Sequence, residues 1–320
     1  MNMDIKKLSD DIIAGKRLSR DDDLSFFFTS ELSELCENAD RIRKSLCGDK
    51  ADLCSIINGK SGKCSENCRF CAQSAHNHTG VSEYPFLDTE TILAECKHNE
   101  KAGVHRFSIV TAGRTLSDAD FEKAVSAYSL LHSECNIKLC ASHGLLTEEQ
   151  FLHLKECGVS RYHCNIETSR RHFPNICTSH TFDDKISCIK RAQKCGFEVC
   201  SGGIIGMGET WEDRLDMALT LAELGIRSVP INVLRPIKGI PLENAEPITP
   251  DDVLRTAAMF RFILPEAFVR FAAGRNIFED SGSVAFRSGM NAAITGDMLT
   301  TSGNGIADDV KMFTEMGFSI

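Results

Sequence analysis

From residue 51 onward, short runs of apolar and β-branched residues alternate with longer amphipathic runs. Parallel βαβ units produce this pattern, because each strand is buried while each crossover helix keeps one polar face. The short runs predict strands at 52–58, 104–111, 136–142, 159–167, 197–205, 227–234, 267–273 and 291–295. The longer runs predict helices at 88–102, 117–134, 147–156, 181–194, 210–225, 249–264 and 281–289. Several of these helices begin after a Thr, Asp or Ser, the residue types that cap helix starts.

Eight strand–helix units over roughly 260 residues match the size of a closed (β/α)8 barrel of the TIM type, the fold that we predict. A doubly wound sheet is the alternative, but such a sheet does not require eight evenly spaced units. Sites in (β/α)8 barrels lie at the carboxyl ends of the strands and in the loops that follow them. This rule directs attention to the segments 59–78, 108–115, 165–180 and 202–210.

Residues 1–50 are polar with helical spacing, and they predict a helical extension in front of a barrel domain at 51–320. Asp40 and Gly48 are predicted to bracket one helix of this extension, since Asp favours a helix start and Gly a helix end. An apolar stripe before it comprises Leu24, Phe27, Phe28, Leu32, Leu35 and Cys36.

The composition is that of a globular protein, with 42% hydrophobic and 25% charged residues in 320. A net charge of -9 argues against nucleic acid and anionic membranes as partners. The segment 1–10 lacks the apolar centre of a signal peptide, and no apolar run reaches the ~18 residues that span a bilayer. We therefore expect a cytoplasmic protein, in which cysteines stay reduced. Its 15 cysteines then indicate metal binding or catalysis in preference to disulfide bonds.

Three of these cysteines, Cys64, Cys68 and Cys71, form a C-x3-C-x2-C triplet in the loop after the first predicted strand. Structural zinc sites need four ligands, so a zinc knuckle would require a distant fourth residue. A cubane 4Fe-4S cluster takes one thiolate per iron, and three thiolates on one loop leave the fourth iron open for a small chelating ligand. The spacing favours the iron–sulfur cluster.

The triplet, with Phe70 before its last Cys, resembles the defining motif of the radical S-adenosylmethionine superfamily. The segment GGIIGMGE at 202–209 resembles the superfamily's G-x-I-x-G-x-x-E motif, which packs against adenosine. The resemblance implies that the open iron binds S-adenosylmethionine, and that reductive cleavage of this sulfonium yields a 5′-deoxyadenosyl radical. The residues that it assigns to S-adenosylmethionine are Phe70, Ser74, Glu167, Gly203, Ile204 and Gly206.

Within the superfamily, the chain resembles the biotin synthase family from about residue 50 to the C-terminus. The blocks that carry the resemblance are CRFCAQS, VCSGGIIGMGET, SVPINVLRPIKGIPL, FVRFAAGR and LTTSGNG. The family inserts sulfur into dethiobiotin to make biotin, and an auxiliary iron–sulfur cluster in the barrel, 2Fe-2S or larger, supplies the sulfur. The resemblance further implies a homodimer and a reducing protein such as flavodoxin or ferredoxin.

The family's auxiliary ligands are three Cys and an Arg, and they correspond here to Ser108, Cys140, Cys200 and Arg270. Arg270 lies among apolar strand residues and needs an anionic partner, either a cluster or a barrel Asp or Glu. Ser108 departs from the pattern, because a hydroxyl is a harder and less acidic ligand than a thiol. Cys164 is the candidate replacement, and a cluster that uses its thiol would be shifted in the barrel. Strand alternation, however, points Cys164 outward unless a bulge intervenes.

The resemblance also implies substrate contacts. Asn165 and Asn232 match family Asn positions and suit the donors and acceptors of a ureido ring, while Glu167 suits the ribose hydroxyls. Asn232 follows Pro230 and has a turn cap as its alternative role. Cys177, on the loop after the fourth strand, stays open between packing and chemistry.

Two other interpretations remain. One is a related radical enzyme, such as a hydrogenase maturase or a methylornithine synthase, because NIETS at 165–169 resembles those families. The presence of Cys140, Cys200, Arg270 and Asn232 together argues against this alternative. The other is an iron–sulfur carrier or sensor without catalysis, which would normally seal its cluster with a fourth Cys.

Overall fold

The strands of the protein form a closed parallel barrel. The computed structural model describes residues 3–300 and 303–320. Met1 and Asn2 of the predicted extension, and Thr301 and Ser302 of the LTTSGNG block, lie outside the described residues. The strands are β1 (Asp52–Lys60), β2 (Arg106–Thr111), β3 (Lys138–Ser142), β4 (Val159–His163), β5 (Glu198–Cys200), β6 (Gly203–Ile205), β7 (Ser228–Val233), β8 (Phe268–Phe271) and β9 (Ala292–Ile294).

The pairing order is β5-β4-β3-β2-β1-β9-β8-β7-β6, and a further pairing of β5 with β7 closes the barrel. β5 and β6 share one place in the barrel, because both pair with β7. The predicted (β/α)8 fold is therefore confirmed, with the predicted strand 197–205 divided in two. The division falls at Gly202, where a Cβ would lie 1.9 Å from the carbonyl oxygen of Pro230, so two backbones pass too closely for regular pairing.

Helices cover the outside of the barrel and precede it at the N-terminus. They are α1 (Ile5–Ile13), α2 (Phe26–Thr29), α3 (Leu32–Cys47), α4 (Thr89–Lys101), α5 (Asp118–Glu134), α6 (Glu148–Glu156), α7 (Phe173–Ile176), α8 (Phe182–Lys194), α9 (Trp211–Glu223), α10 (Pro250–Ile263), α11 (Ser283–Phe286) and α12 (Ile306–Glu315). The predicted caps are present, and four helices start with a reciprocal capping box, at Thr147, Thr181, Thr210 and Thr249. In residues 3–300 and 303–320, no helix has the length and apolar character needed to cross a membrane.

Two predictions about helices are wrong, and two helices were missed. Asp40 does not begin a helix: it lies within α3, where its buried carboxylate accepts from Arg43 Nε at 2.7 Å, while Gly48 does end α3 with φ 64°. The predicted helix 281–289 is reduced to α11, because Gly282 (φ 83°) and Gly289 (φ 105°) adopt left-handed conformations on either side of it. The helices α7 and α12 were not predicted.

The hydrophobic core lies between the outer face of the strands and the helices. Tyr162 of β4 and Phe151 of α6 illustrate it, with ring centroids 4.7 Å apart and both side chains fully buried. The N-terminal helices join the same core, since Phe27 of α2 packs edge-on against Phe262 of α10. The inward-facing residues of the strands are left to line the interior, which is where the site lies.

The close approach at Gly202 generates a stability prediction. In Gly202→Ala, the added methyl group must displace the backbone of Pro230, and we expect a loss of about 1–3 kcal/mol in the free energy of unfolding. Gly225→Ala is the control, because its Cβ meets nothing within 4 Å and its cost is confined to the left-handed φ of 67°. Urea unfolding of the cluster-free protein measures both, and equal losses would contradict the close-approach explanation.

Candidate active site

A single cavity runs through the barrel interior from the cysteine loop to the opposite end. Its volume is about 390 Å³. Residues of the same parity on successive strands face it, as expected when alternate side chains point inward. The lining residues important for the site are Cys54, Phe70, Cys71, Ser108, Cys140, Arg161, His163, Asn165, Glu167, Cys200, Ile204, Asn232 and Arg270.

The loop after β1 brings Cys64, Cys68 and Cys71 to the mouth of this cavity. The loop closes on itself through main-chain bonds, with Ala75 N donating to Cys64 O at 2.8 Å. The side chain of Asn77 fastens the other two cysteines, donating to the carbonyls of Cys68 (3.1 Å) and Cys71 (2.8 Å). All three thiols are partly exposed, and Cys71 borders the cavity.

The cysteine loop docks onto the loop that follows β4. Asn67 Oδ1 accepts from the backbone N–H groups of Thr178 and Ser179, both at 3.0 Å. This contact places Cys177 Sγ 3.7 Å from Cys68 Sγ and 3.3 Å from His180 Nδ1. Cys177 thus lies beside one of the predicted ligands. The sequence did not reveal this proximity, because Cys177 is 106 to 113 residues away from the triplet.

The surroundings of the triplet disfavour free, reactive thiolates. Burial raises the pKa of Cys64, and it raises the pKa of Cys71 to about 11. The hydrogen bond with Cys177 and burial together raise the pKa of Cys68. Thiols with raised pKa values stay protonated at neutral pH, so an iron ion that binds them must displace the protons.

Of the residues assigned to S-adenosylmethionine, Phe70, Glu167 and Ile204 line the cavity. Gly203 supports them from behind, because it lies in a bridge with Glu167, whose carbonyl accepts from Ile204 N at 2.9 Å. A Cβ on Gly203 would lie 2.3 Å from that carbonyl oxygen, so only glycine fits there. Glu167 itself has φ 70°, a left-handed conformation that aims its side chain into the cavity.

Ser74 and Gly206 do not line the cavity. Ser74 Oγ donates to Glu66 O at 2.6 Å and stabilises the cysteine loop from inside. Gly206 takes a φ of 94° in the turn after β6, and its N–H donates to Glu209 Oε1 at 2.9 Å. Both residues therefore support the loop and the turn that they belong to without facing the cavity.

The two asparagines assigned to the substrate line the cavity and are already hydrogen-bonded to the backbone. Asn165 Oδ1 accepts from Gly202 N at 3.0 Å. Asn232 Nδ2 donates to Gly203 O, and its Oδ1 accepts from Ala273 N, each at 3.1 Å, so it joins β6 to the segment after β8. A carboxamide has two N–H donors and two lone pairs, so Asn232 retains one of each.

At the far end of the cavity, charged side chains form a floor. Asp52 Oδ2 accepts from Arg270 Nη2 at 2.5 Å and lies 3.4 Å from Arg161 Nη1. Glu198 pairs with both Arg161 and Arg106 at 3.0 Å. Burial would raise the pKa of Asp52, but the two guanidinium groups outweigh it and lower that pKa. Of these charged residues, Arg161 and Arg270 line the cavity, so the floor presents two guanidinium groups to it.

Arg270 therefore has the barrel Asp partner that the sequence left open, and it also lines the cavity. Cys140 and Cys200 also line the floor, and both are buried, with exposed fractions of 3% and 8%. Burial opposes ionisation of Cys200, but the hydrogen bond to His163, with the charges of His163, Arg270 and Arg161, lowers its pKa to about 6. This thiol is poised to serve as a thiolate.

Ser108 and Cys164 differ in placement. Ser108 lines the cavity at 3% exposure, and its hydroxyl has no hydrogen-bond partner. Cys164 points away from the cavity into the hydrophobic core, where its thiol meets Cys188 of α8. The pairing of β4 with β3 is irregular between Val159 and Arg161, but this irregularity does not turn Cys164 inward. On the other side, β4 pairs with β5 in regular register, and the Cys164 N–H donates to Cys200 O. This geometry does not support a shift of the auxiliary cluster to Cys164.

Sequence reasoning missed three groups that the fold brings to the site. Cys54 of β1 lines the floor with Cys140 and Cys200. Asp52 supplies the carboxylate between the arginines, and Lys185 of α8 places an ammonium near Glu167 and Cys68. The alternation of β1, which faces Cys54 and Ile56 to the cavity, is the signal that could have found the first of these.

Two family models match the chain. The model of the Radical SAM superfamily matches residues 60–221, and that of the Biotin and Thiamin Synthesis associated domain matches residues 230–319. A biotin synthase of Alkaliphilus metalliredigens (strain QYMF) is 64% identical over 99% of this chain and 100% of its own length. A biotin synthase of Clostridium beijerinckii (strain ATCC 51743 / NCIMB 8052) is 61% identical with the same coverage.

Solved structures with the same fold are more distant in sequence. A methylornithine synthase superposes with a TM-score of 0.84 at 20% identity, covering 98% of this chain and 96% of that one. The FeFe-hydrogenase maturase HydG from Carboxydothermus hydrogenoformans gives 0.81 at 16% identity, covering 98% and 78%. At such identities the likeness establishes the barrel fold alone.

The site generates a prediction that separates an open cluster from a sealed one. In Cys68→Ala, the loss of one of three loop thiolates is expected to abolish reductive cleavage of S-adenosylmethionine while the barrel stays folded, because the ligands lie on a loop outside the core. In Cys177→Ala, the neighbouring thiol is removed but the triplet is intact, and cleavage is expected to persist. Release of 5′-deoxyadenosine from dithionite-reduced protein measures both.

Either of two results would contradict the assignment. Cleavage by Cys68→Ala would exclude Cys68 as a ligand. Failure of Cys177→Ala to retain iron would show that Cys177 seals the cluster, as in a carrier.

Proposed function

Because the chain belongs to the biotin synthase family of the radical S-adenosylmethionine superfamily, we propose how its own residues carry the insertion of sulfur into dethiobiotin. One observation supports the proposal above others: a single cavity is bordered by Cys71 of the cysteine loop at its mouth and by Cys54, Cys140 and Cys200 at its floor. A substrate between the two groups has radical chemistry on one side and a sulfur source on the other.

At the mouth, Cys64, Cys68 and Cys71 hold a 4Fe-4S cluster. When bound and reduced, the cluster supplies the electron that cleaves S-adenosylmethionine. The chain's contribution is position and shielding: Asn77 and Asn67 fix the loop, and Phe70 forms an apolar wall between the loop and the cavity. Exclusion of water by such a wall protects a reactive species from side reactions.

S-adenosylmethionine lies along the wall formed by Phe70, Ile204 and Glu167. The carboxylate of Glu167, within 3.4 Å of Asn165 Nδ2, offers two oxygens to the ribose hydroxyls. Ile204 packs against the adenine, and the glycines at 203 and 206 permit the close backbone turn that brings it there. Ser74 contributes through the loop that it stabilises.

Dethiobiotin occupies the middle of the cavity, with its ureido ring at Asn165 and Asn232. Each carboxamide forms hydrogen bonds with the backbone, and these bonds fix the direction of its remaining donor and acceptor groups. A fixed donor and acceptor pair costs little entropy on binding, since the side chain is ordered beforehand.

The floor residues fit an auxiliary iron–sulfur cluster, 2Fe-2S or larger. Cys140 and Cys200 supply thiolates, Arg270 lies beside them, and the unpartnered hydroxyl of Ser108 faces the same space. The excess of guanidinium groups on the floor favours an anionic occupant. When bound, this cluster supplies the sulfur atom.

Further parts of the proposal rest on the family resemblance and on composition. They are a flavodoxin or ferredoxin as electron donor, a homodimer, and the division into an extension at 1–50 and a barrel at 51–320. The cysteine content, 15 residues, favours the reducing cytoplasm as its location. Hydrogenase maturation and methylornithine synthesis are less well supported, because they appear only among fold neighbours at 16–20% identity.

The function is tested by anaerobic single turnover. Protein reconstituted with iron and sulfide, then mixed with S-adenosylmethionine, dethiobiotin and a reductant, is expected to form biotin together with 5′-deoxyadenosine. Mass spectrometry quantifies both products. 5′-Deoxyadenosine without biotin, from protein whose second cluster is intact by Mössbauer spectroscopy, would contradict sulfur insertion.

A crossed pair of variants tests the two binding walls. Asn232→Ala is expected to weaken dethiobiotin binding by about 1–3 kcal/mol through lost hydrogen bonds, with little effect on S-adenosylmethionine. Glu167→Gln is expected to weaken S-adenosylmethionine by about 1 kcal/mol, because a charged acceptor becomes neutral, with little effect on dethiobiotin. Calorimetric titration measures the affinities, and melting temperatures report the backbone role of Asn232. Unchanged dethiobiotin affinity in Asn232→Ala would make that residue purely structural.

A further inference from the structure

Cys54 lies at the cavity floor on β1, one inward-facing position deeper than Ile56, which pairs with Ser108 of β2. Its thiol lies within hydrogen-bonding reach of the Cys140 thiol, and both residues line the cavity. Cys200 and Arg270 line the same cavity, so three thiols and one guanidinium group share one space.

The surroundings of Cys54 differ from those of cysteines that only pack. Cys164 and Cys188 meet each other in the hydrophobic core, and Cys96 lies close to Cys135 within that core. Cys54, together with Cys140 and Cys200, lies outside that core and faces the cavity instead. A thiol whose role is packing gains nothing from facing a polar, cationic space.

The neighbouring position 108 cannot fill the ligand role on its own. A serine hydroxyl is a poor iron ligand beside thiolates, because iron–sulfur clusters are held by soft, deprotonated sulfur. Ser108 Oγ is buried without any hydrogen-bond partner, which marks the space in front of it as one that a polar or anionic group fills.

We propose that Cys54 is a thiolate ligand of the iron–sulfur cluster at the floor, together with Cys140 and Cys200, and that β1 supplies the thiolate that β2 lacks at Ser108. This inference rests on the proposed function, since it assumes that the floor holds a cluster. Ser108 then lies next to the cluster as a hydrogen-bond donor to its sulfur.

The test isolates the floor cluster in a full-length chain with Cys64→Ala, Cys68→Ala and Cys71→Ala, so that all bound iron reports on the floor. In this background, Cys54→Ala is compared with Ser108→Ala and with Cys164→Ala. Cys164→Ala is the matched control, because it also removes a buried thiol, but one that faces away from the cavity. Each protein is reconstituted anaerobically with ferrous iron and sulfide. Iron and sulfide per chain, visible absorption and Mössbauer spectra are the readouts, and none depends on activity.

We expect Cys54→Ala to lower the iron content by about two-fold or more, or to change the Mössbauer parameters, because a cluster that loses one thiolate binds less tightly. Cys164→Ala and Ser108→Ala are expected to keep the cluster. Adding Ser108→Cys to Cys54→Ala is expected to restore iron, since it moves the thiolate to the adjacent strand. Circular dichroism of the cluster-free proteins identifies a variant that fails to fold, and Cys54→Ser, close in size to the native residue, then takes its place.

Full iron content and unchanged spectra in Cys54→Ala would overturn the inference while leaving the floor cluster in place. An absence of iron from the triple-variant background itself would overturn both this inference and the proposed sulfur source.

Discussion

The carboxylate of Asp52, shared between Arg161 and Arg270, is the interaction on which the interior of the barrel depends. Three strands, β1, β4 and β8, meet through it at the floor. Removal of one member of such a buried set leaves an uncompensated charge and costs about 3–5 kcal/mol. The same set leaves positive charge facing the thiols above it. A floor built in this way holds the barrel closed and at the same time prepares the electrostatic environment for anionic sulfur.

The two ends of the cavity are organised on different principles. At the mouth, the three cysteines come from one loop of eight residues, Cys64 to Cys71, and hydrogen bonds made by the side chains of Asn77 and Asn67 hold that loop in place. At the floor, each thiol comes from a different strand, and the barrel itself sets their separation. The mouth can therefore be disturbed without affecting the fold, whereas the floor cannot be separated from it.

These principles also explain how much the sequence could predict. The barrel could be predicted from the regular alternation of strands and helices, and the cluster-binding triplet from the spacing of its cysteines, because both patterns involve residues that are close in the sequence. The pairing of Asp52 with Arg270 and the approach of Cys54 to Cys140 join residues far apart in the chain, and no local pattern encodes them. Strand alternation did place Cys164 outward, where the structure has it. The break at Gly202 depends on the backbone of Pro230, which a single strand's sequence does not contain.

The two hydrogen bonds of Asn232 have a consequence for the evolution of the pocket. Because this side chain joins β6 to the segment after β8, a substitution that would alter substrate recognition there also loosens the barrel. Evolution toward new substrates is therefore constrained at Asn232. Leu234, Ile237 and Met298 also border the cavity, and their apolar side chains join no two strands through hydrogen bonds. New specificities in this scaffold should arise at these apolar positions, where a substitution breaks no hydrogen bond between strands.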